Sequence, residues 1–146
     1  MLPEFKKLTE EDRQLLYKAP ALVSVLASCT FNEVNETQKR DAIKLSHLKT
    51  FTADPLLIPY YKEVENGFRE RFEAIATKYF PFDDQKRAEL REEVDKVSEV
   101  LAKLDNRFFA RTLYKSWQRY ADHVKRSTHS VFQDFIFPMP IPGLSA

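Results

Sequence analysis

Hydrophobic residues recur at helical spacing along most of the chain. In three segments they return every three or four positions, which indicates one buried face on an amphipathic helix. These stripes are Tyr61, Val64, Phe68, Phe72, Ile75 and Tyr79; Leu90, Val94, Val97, Leu101 and Leu104; and Phe109, Leu113, Trp117, Tyr120 and Val124. Two earlier helices are predicted from broader apolar faces. Residues 21–29 are apolar over more than half of a helical circumference, so we expect this helix at the centre of the core.

Capping residues and prolines indicate where the helices begin and end. Thr9, followed by three acids, predicts a helix that starts near Glu10. Pro20 predicts either a kink in that helix or the start of a second one. Gly67 interrupts the stripe over residues 61–79 at a cost of about 1 kcal/mol relative to alanine, and we expect a neighbour to pack close to its backbone. Four further residues are expected to cap helices: Asn35, Asp54, Asp83 and Asp105.

The chain has the length and composition of a single helical domain. Its 146 residues are enough for one core, and its 2 glycines disfavour a turn-rich β fold. Every predicted connection is short, so neighbours in sequence are expected to be antiparallel neighbours in space. We predict an all-α, single-domain bundle of five to six mostly antiparallel helices over residues 1–130. Residues 131–146, with three prolines in five positions, are predicted to form a non-helical Pro-rich C-terminal tail, packed on the bundle or partly disordered.

The sequence lacks the residue patterns of the common catalytic sites. It has no Gly-rich phosphate loop, no serine in a Gly-flanked elbow and no Glu-x-x-His ligand pair. His47, His123 and His129 lack the spacing of four that a helical zinc site uses, so we interpret them as structural or surface residues. These patterns favour a non-enzymatic protein without a cofactor.

The single cysteine and the short apolar runs indicate where in the cell the protein is expected. Cys29 cannot form an internal disulfide and lies in an apolar run, where we expect a small buried residue in a reducing compartment. The first residues lack the apolar core of a signal peptide, and no run approaches the roughly 18 apolar residues of a membrane span. The predicted location is therefore cytoplasmic, with no membrane partner.

Basic residues collect on one arc of the last helix, opposite its apolar stripe. They are Arg107, Arg111, Lys115, Arg119 and Arg126, with Phe108 near the same arc and Tyr114 at its edge. Residues 103–126 contain seven bases and two acids, a local charge of +5, whereas residues 83–99 contain four bases and seven acids, a charge of −3. The acids of the preceding helix that lie off its apolar stripe should face water: Glu92, Glu93, Asp95 and Glu99.

This basic face has two interpretations. If the two helices are antiparallel neighbours, their opposite charges form surface ion pairs, which is the interpretation that the sequence favours. Otherwise the face binds an acidic protein surface or single-stranded nucleic acid. Nucleic acid is the less favoured partner, because the whole chain carries a formal net charge of only +1.

Two segments resemble the TerB-like tellurite-resistance family. The stretch DRQLLYKAPALVSVLASCTFNEVNETQKRDAIKL, residues 12–45, is similar to the family's opening, in which an apolar helix leads through a turn of pattern Ala-Asp-Gly-x-Ile-x-x-x-Glu into the next helix. The stretch LDNRFFARTLYKSWQRYADHV, residues 104–124, is similar to a later helix of longer members. With Val34 in the place of the isoleucine, the other pattern positions fall on Thr30, Phe31, Asn32 and Gln38.

The resemblance implies an all-helical bundle and, in members that keep the acids, a divalent-metal site. This chain departs at the ligand positions, because Phe31 cannot ligate and Gln38 offers only a neutral oxygen to a hard cation. Asn32 in place of the glycine keeps the turn, since asparagine tolerates the left-handed conformation. Glu33 and Glu36 are the remaining metal candidates, at positions that the pattern leaves free.

We therefore predict a non-catalytic helical binding protein of the TerB-like type, associated with stress responses, whose partner is a protein. One alternative is a metal-handling or enzymatic stress protein with a site assembled from residues distant in sequence. The other is a protein that binds nucleic acid or an acidic partner through the basic face of the last helix. Homo-oligomerisation is left open.

Overall fold

A computed structural model describes residues 2–30 and 33–126, with only the backbone given for Cys29 and Thr30. Within these ranges the chain forms six α-helices and one short hairpin, so the predicted all-α fold class is confirmed. The helices are α1 Glu10–Ser28, α2 Glu36–Thr52, α3 Ile58–Glu65, α4 Phe68–Lys78, α5 Asp84–Leu101 and α6 Arg107–Arg126. Short 3-10 turns cover Pro3–Phe5 and Pro55–Leu57, and strands β1 Cys29–Thr30 and β2 Glu33–Val34 form the antiparallel hairpin. The predicted tail at residues 131–146 lies outside the described residues, as do Phe31 and Asn32 of the predicted turn.

The helix α1 is the centre of the bundle. It contacts each of the other five helices, and its residues 19–28 are all buried. A helix enclosed on every side needs an apolar surface all round, which residues 21–27 supply apart from Ser24. The Ser24 hydroxyl donates to the Pro20 carbonyl at 2.6 Å, so its polar atom is satisfied inside the helix. The predicted central position of this helix is confirmed.

Pro20 lies inside α1, and the helix does not restart there. Proline has no N–H, so the Leu16 carbonyl one turn earlier has no helical donor. The Tyr60 hydroxyl of α3 donates to that carbonyl at 2.6 Å, and the Trp117 indole N–H of α6 donates to the Tyr60 hydroxyl at 2.9 Å. Two side chains from other helices therefore satisfy the backbone group that the proline leaves unpaired.

Most helix starts are as the sequence predicts, and one is not. The confirmed caps each accept a backbone N–H on a side-chain oxygen: Thr9 from Asp12, Asn35 from Gln38, Asp54 from Leu56 and Asp83 from Lys86. The prediction that Asp105 caps α6 is wrong. Asn106 accepts the Phe109 N–H at 3.0 Å, while Asp105 forms an exposed ion pair with Lys7 at 2.8 Å.

Gly67 separates two helices where the sequence predicts one interrupted helix. α3 ends at Glu65 and α4 begins at Phe68, with Gly67 between them at φ 89°. A Cβ at Gly67 would meet nothing within 4 Å, so the expected close packing is wrong. The left-handed backbone, which glycine adopts without strain, is the reason for the glycine. The Arg71 guanidinium donates to the carbonyls of Val64 (3.2 Å) and Asn66 (3.1 Å), which satisfies the end of α3.

The helices α5 and α6 both pack on α1 and make at most marginal contact with each other. Lys18 of α1 pairs with Glu93 of α5 at 2.6 Å, and Asp12 pairs with Lys103, just beyond α5, at 2.9 Å. Since the partner number falls as the α1 number rises, α1 and α5 are antiparallel. The short connection between α5 and α6 therefore joins two helices that are not packed neighbours, contrary to the prediction for this pair.

Candidate functional site

The outer face of α6 presents four of the five predicted basic residues to solvent. Arg111, Lys115, Arg119 and Arg126 are exposed, whereas the apolar stripe over residues 109–124 is buried. The spacing of four between successive bases keeps them on one side of the helix. In the described part of the chain, none of these four side chains forms an ion pair with a carboxylate.

Arg107 lies at the start of the same face but has a local contact. Its guanidinium donates to the carbonyls of Ala102 at 3.1 Å and Leu104 at 3.2 Å. These carbonyls end α5 and the turn that follows it. Arg107 therefore fixes the connection between α5 and α6, and the exposed basic face begins at Arg111.

One of the two aromatic residues predicted at this face belongs to it. Phe108 is 66% exposed, one helical turn before Arg111. Tyr114 is only 8% exposed, and burial raises the pKa of its hydroxyl, so its predicted position at the edge of the face is wrong. The face therefore combines four cations with a single exposed ring.

The positive charge of α6 extends to the neighbouring helix α2. Lys49 of α2 is half-buried, and burial lowers the pKa of its ammonium group; the nearby charge of Arg119 lowers it further. A cation whose protonated form is disfavoured by another cation lies within the same positive field. The charge of the basic face therefore reaches Lys49 of α2.

The helix α5 does not neutralise this face, contrary to the interpretation that the sequence favours. Both helices pack on α1 and make at most marginal contact with each other, and the acids of α5 that form ion pairs do so with α5 itself, α1 or α4: Glu89 pairs with Lys86 of α5 at 3.8 Å. Glu93 binds Lys18 of α1 at 2.6 Å and lies 3.9 Å from Lys78 of α4. Glu92, Asp95 and Glu99 are exposed, as predicted, and form no ion pair within the described ranges.

A groove of about 620 Å³ between α1, α4 and α5 contains the carboxylate of Glu93, the most buried of the four α5 acids that were predicted to face water. The Glu93 side chain is only 12% exposed, so the prediction that it faces water is wrong. One carboxylate oxygen accepts from Lys18 at 2.6 Å and the other from the Tyr79 hydroxyl at 2.5 Å. The sequence carries a signal for this position, because Glu93 lies three residues after Leu90 and four before Val97, at the edge of the buried stripe. Lys18 lies on α1 and Tyr79 at the end of α4. Tyr79 belongs to the apolar stripe over residues 61–79, whereas no sequence pattern marks Lys18.

Glu93 and Tyr79 are each held in one protonation state near neutral pH. Burial raises the pKa of Glu93, but the hydrogen bonds from Lys18 and Tyr79 outweigh it and the pKa is lowered overall. Burial and the hydrogen bond to Glu93 raise the pKa of the Tyr79 hydroxyl far above its usual range. A general acid or base works best with a pKa near the operating pH, and both groups are shifted away from it. The cluster is suited to joining three helices.

Gln38, at the position of the glutamate in the TerB-like pattern, is fully buried. Its Nε2 donates to the Lys125 carbonyl in the last turn of α6 at 3.2 Å, while no partner is found for its Oε1. An amide that donates to the backbone joins α2 to α6. Its position is not open to a hydrated cation.

The other candidate ligands are not brought together. Glu33 of β2 and Glu36 of α2 are exposed, and Glu36 borders a small groove whose other charged residues are cations: Lys39, Arg40 and Arg69. Exposed His47 pairs with Glu65, His123 is exposed, and His129 lies outside the described residues. Across residues 2–30 and 33–126, no three His, Cys, Asp or Glu side chains are grouped so that they would hold a metal ion.

Comparisons with known proteins do not identify a family. The sequence matches no protein-family model, and neither a curated protein nor a solved structure is significantly similar to it. None of the helices in the described ranges has the length and apolarity needed to cross a membrane.

Proposed function

We propose that this chain is a non-catalytic helical binding protein whose exposed basic face on α6 binds an acidic surface of a partner protein. The observation that supports the proposal is the outer face of α6. Arg111, Lys115, Arg119 and Arg126 are exposed there without an ion pair in the described part of the chain, beside the exposed ring of Phe108. Arginine and exposed aromatic side chains are the residue types enriched at protein interfaces.

A protein partner is favoured over nucleic acid by the charge of the whole chain. The formal net charge is +1, so the positive region is local and is balanced elsewhere on the molecule. Nucleic-acid binders usually combine a basic patch with a basic domain, since each phosphate contact releases counterions. A single exposed ring also gives little surface on which successive bases could stack.

We further propose a TerB-like type for this protein, without the metal site and in the cytoplasm. The hairpin between α1 and α2 and the Asn35 cap keep the helix–turn–helix connection on which the resemblance rests. Gln38 joins α2 to α6 where the pattern has a ligand. Equilibrium dialysis with calcium, magnesium, manganese and zinc is expected to show no stoichiometric binding. Stoichiometric binding that Glu33→Gln or Glu36→Gln abolishes would assign the metal-handling alternative instead.

Fluorescence anisotropy with a labelled acidic peptide tests the basic face. The protein should bind the peptide, with an affinity that falls as the salt concentration rises. Arg111→Glu with Lys115→Glu should weaken binding by at least about tenfold, because two attractive contacts become repulsive. The matched control is Lys44→Glu with Lys62→Glu, which changes the net charge equally at exposed positions of α2 and α3 and should leave the affinity within about twofold.

Two results would contradict the proposal. Equal loss of binding in both double variants would show attraction to the net charge alone. If the protein binds a single-stranded oligonucleotide more tightly than the peptide, and Arg111→Glu with Lys115→Glu weakens that binding, the face is a nucleic-acid site.

A further inference from the structure

The helix α5 carries an exposed acidic stripe that is the counterpart of the basic face. Asp84, Glu92, Asp95 and Glu99 are exposed and lie on one side of α5, opposite its buried stripe over residues 90–101. Within the described residues none of the four forms an ion pair. The chain thus presents an acidic helix face and a basic helix face, and neither is neutralised by the other.

The two faces do not meet within one molecule. Both helices pack against α1 through their apolar stripes, and they make at most marginal contact with each other. Their charged faces point away from the core that holds them. Only another copy of the chain can bring an α5 face against an α6 face.

The charges on the two faces match in an antiparallel register. With Arg111 opposite Glu99, Lys115 falls opposite Asp95 and Arg126 falls opposite Asp84, while Arg119 falls opposite Arg91, one residue from Glu92. Both rows extend over sixteen residues, with about 22 Å between the first and last residue at the rise of an α-helix. Three opposite charges therefore coincide, spread over the full length of the contact.

Two further positions of the faces are compatible with this register. Asp122, the acid within the basic row, falls opposite Ala88, and the exposed Phe108 falls opposite the exposed Ala102. In the parallel arrangement, with Arg111 opposite Asp84, Asp122 would instead fall opposite Asp95. The parallel arrangement also places Arg119 opposite Glu92 and Arg126 opposite Glu99. Each direction therefore joins three opposite charges against one pair of like charges, so the two faces are complementary in either direction.

We propose that the acidic partner of the α6 face is a second copy of this chain, which binds through the acidic stripe of its α5. This inference rests on the proposed function and adds the identity of the partner. Exposed ion pairs are individually weak and are screened by salt, so the association is expected to be weak and strongly dependent on ionic strength. Each copy carries both faces, so the contact either closes a symmetric dimer or continues head to tail.

Sedimentation velocity of the wild-type chain at about 20 mM and about 500 mM salt tests the association. Concentration-dependent oligomers are expected at low salt and monomers at high salt. Arg111→Glu with Lys115→Glu should remove the low-salt oligomers, and so should Asp95→Lys with Glu99→Lys on the other face. A wild-type chain that stays monomeric at low salt would overturn the inference.

Mixing the two charge-reversed variants gives the sharpest result. Each should be monomeric alone, and an equimolar mixture should form oligomers, because the reversed α6 face of one matches the reversed α5 face of the other. Each variant alone at the same total concentration is the control. Oligomers in either variant alone, or a mixture that stays monomeric, would overturn the inference.

The peptide titration separates this inference from the proposed function. A monomeric wild-type chain that still binds the acidic peptide through Arg111 and Lys115 would reject self-association and leave the basic face as a binding site. Failure of peptide binding together with a monomeric chain would reject both.

Discussion

The two sides of α6 differ in how their polar atoms are satisfied. On the inner side the Trp117 indole donates to Tyr60, the Tyr120 hydroxyl donates to the Ala42 carbonyl at 2.6 Å, and Ser116 bonds to Tyr61. On the outer side Arg111, Lys115 and Arg119 point into solvent and form no ion pair within the described ranges. These three inner polar groups have partners fixed by packing, whereas the outer ones are available to another molecule.

This difference separates stability from binding along one helix. Loss of a buried hydrogen-bond partner leaves another buried group unsatisfied, which is costly because water cannot replace it. Loss of an exposed charge leaves a site that water fills at once. The predictions below follow from this contrast and run from the largest expected change in the free energy of unfolding to the smallest.

Tyr60→Phe should produce the largest loss of stability. The substitution leaves the Leu16 carbonyl and the Trp117 indole N–H buried without their partner, and we expect a destabilisation of about 2 kcal/mol or more. In a Pro20→Ala background the new N–H donates to Leu16, so the same substitution should cost about 1 kcal/mol less. Urea unfolding of the four proteins of this double-mutant cycle measures the coupling.

Tyr61→Phe is the control for this cycle. It removes a buried hydrogen bond to Ser116 that does not involve Pro20, so its cost should be equal in both backgrounds. If Tyr60→Phe lowers the free energy of unfolding equally with Pro20 and in the Pro20→Ala background, the Tyr60 hydroxyl does not replace the backbone N–H that proline lacks.

Asn106→Ala should have the next largest effect. Asn106 satisfies a backbone N–H at the start of α6, and removal of such a cap costs about 1 kcal/mol. Asp105→Ala removes only an exposed ion pair with Lys7 and should change the urea midpoint less. The reverse order would restore Asp105 as the cap that the sequence predicts.

Local signals in the sequence predicted most of the helices and their caps but not the arrangement of the helices. The caps at Asn35 and Asp83 depend only on residues nearby in the sequence. The spacing of apolar residues in α6 likewise predicts which side of that helix is buried. The tolerance of Pro20 depends on the Tyr60 hydroxyl, which donates to Leu16, 44 residues away. The burial of Glu93 depends on Lys18 of α1 and on Tyr79 at the end of α4. No local pattern encodes contacts of this kind.

The candidate site shows the same limit. The basic residues of α6 were evident from their spacing of four, because the periodicity of one helix is a local property. Whether α5 neutralises these residues depends on how the helices pack. The short connection between α5 and α6 predicts that they are neighbours, but in the fold each packs against α1. The exposure of the basic face was therefore visible only in the fold.

Glu93→Gln should have a smaller, pH-dependent effect. The pKa of Glu93 is lowered below 4.5 in the folded state, so the charged carboxylate stabilises the fold above that pH, and this contribution is lost as the pH falls through the folded pKa. The variant should be less stable than wild type at pH 7, and the difference should narrow below about pH 4. Urea unfolding across this pH range checks the result.

Glu92→Gln serves as the control for this pH dependence. Glu92 is exposed beside Glu93 and forms no ion pair within the described residues. Its replacement should change the urea midpoint little at either end of the pH range. A pH-dependent difference of the same size in both variants would assign the effect to the general charge of α5.

The double substitution on the basic face should change the free energy of unfolding least and the affinity for the acidic peptide most. Arg111→Glu with Lys115→Glu alters two exposed side chains that have no ion pair in the described part of the chain, so the free energy of unfolding should stay within about 0.5 kcal/mol of wild type. Urea unfolding at low and high salt measures this value on the same samples that are used for peptide binding. A loss of more than about 1 kcal/mol at both salt concentrations would show that these side chains support the fold. The inner and outer sides of α6 would then not be separable into a stabilising side and a binding side.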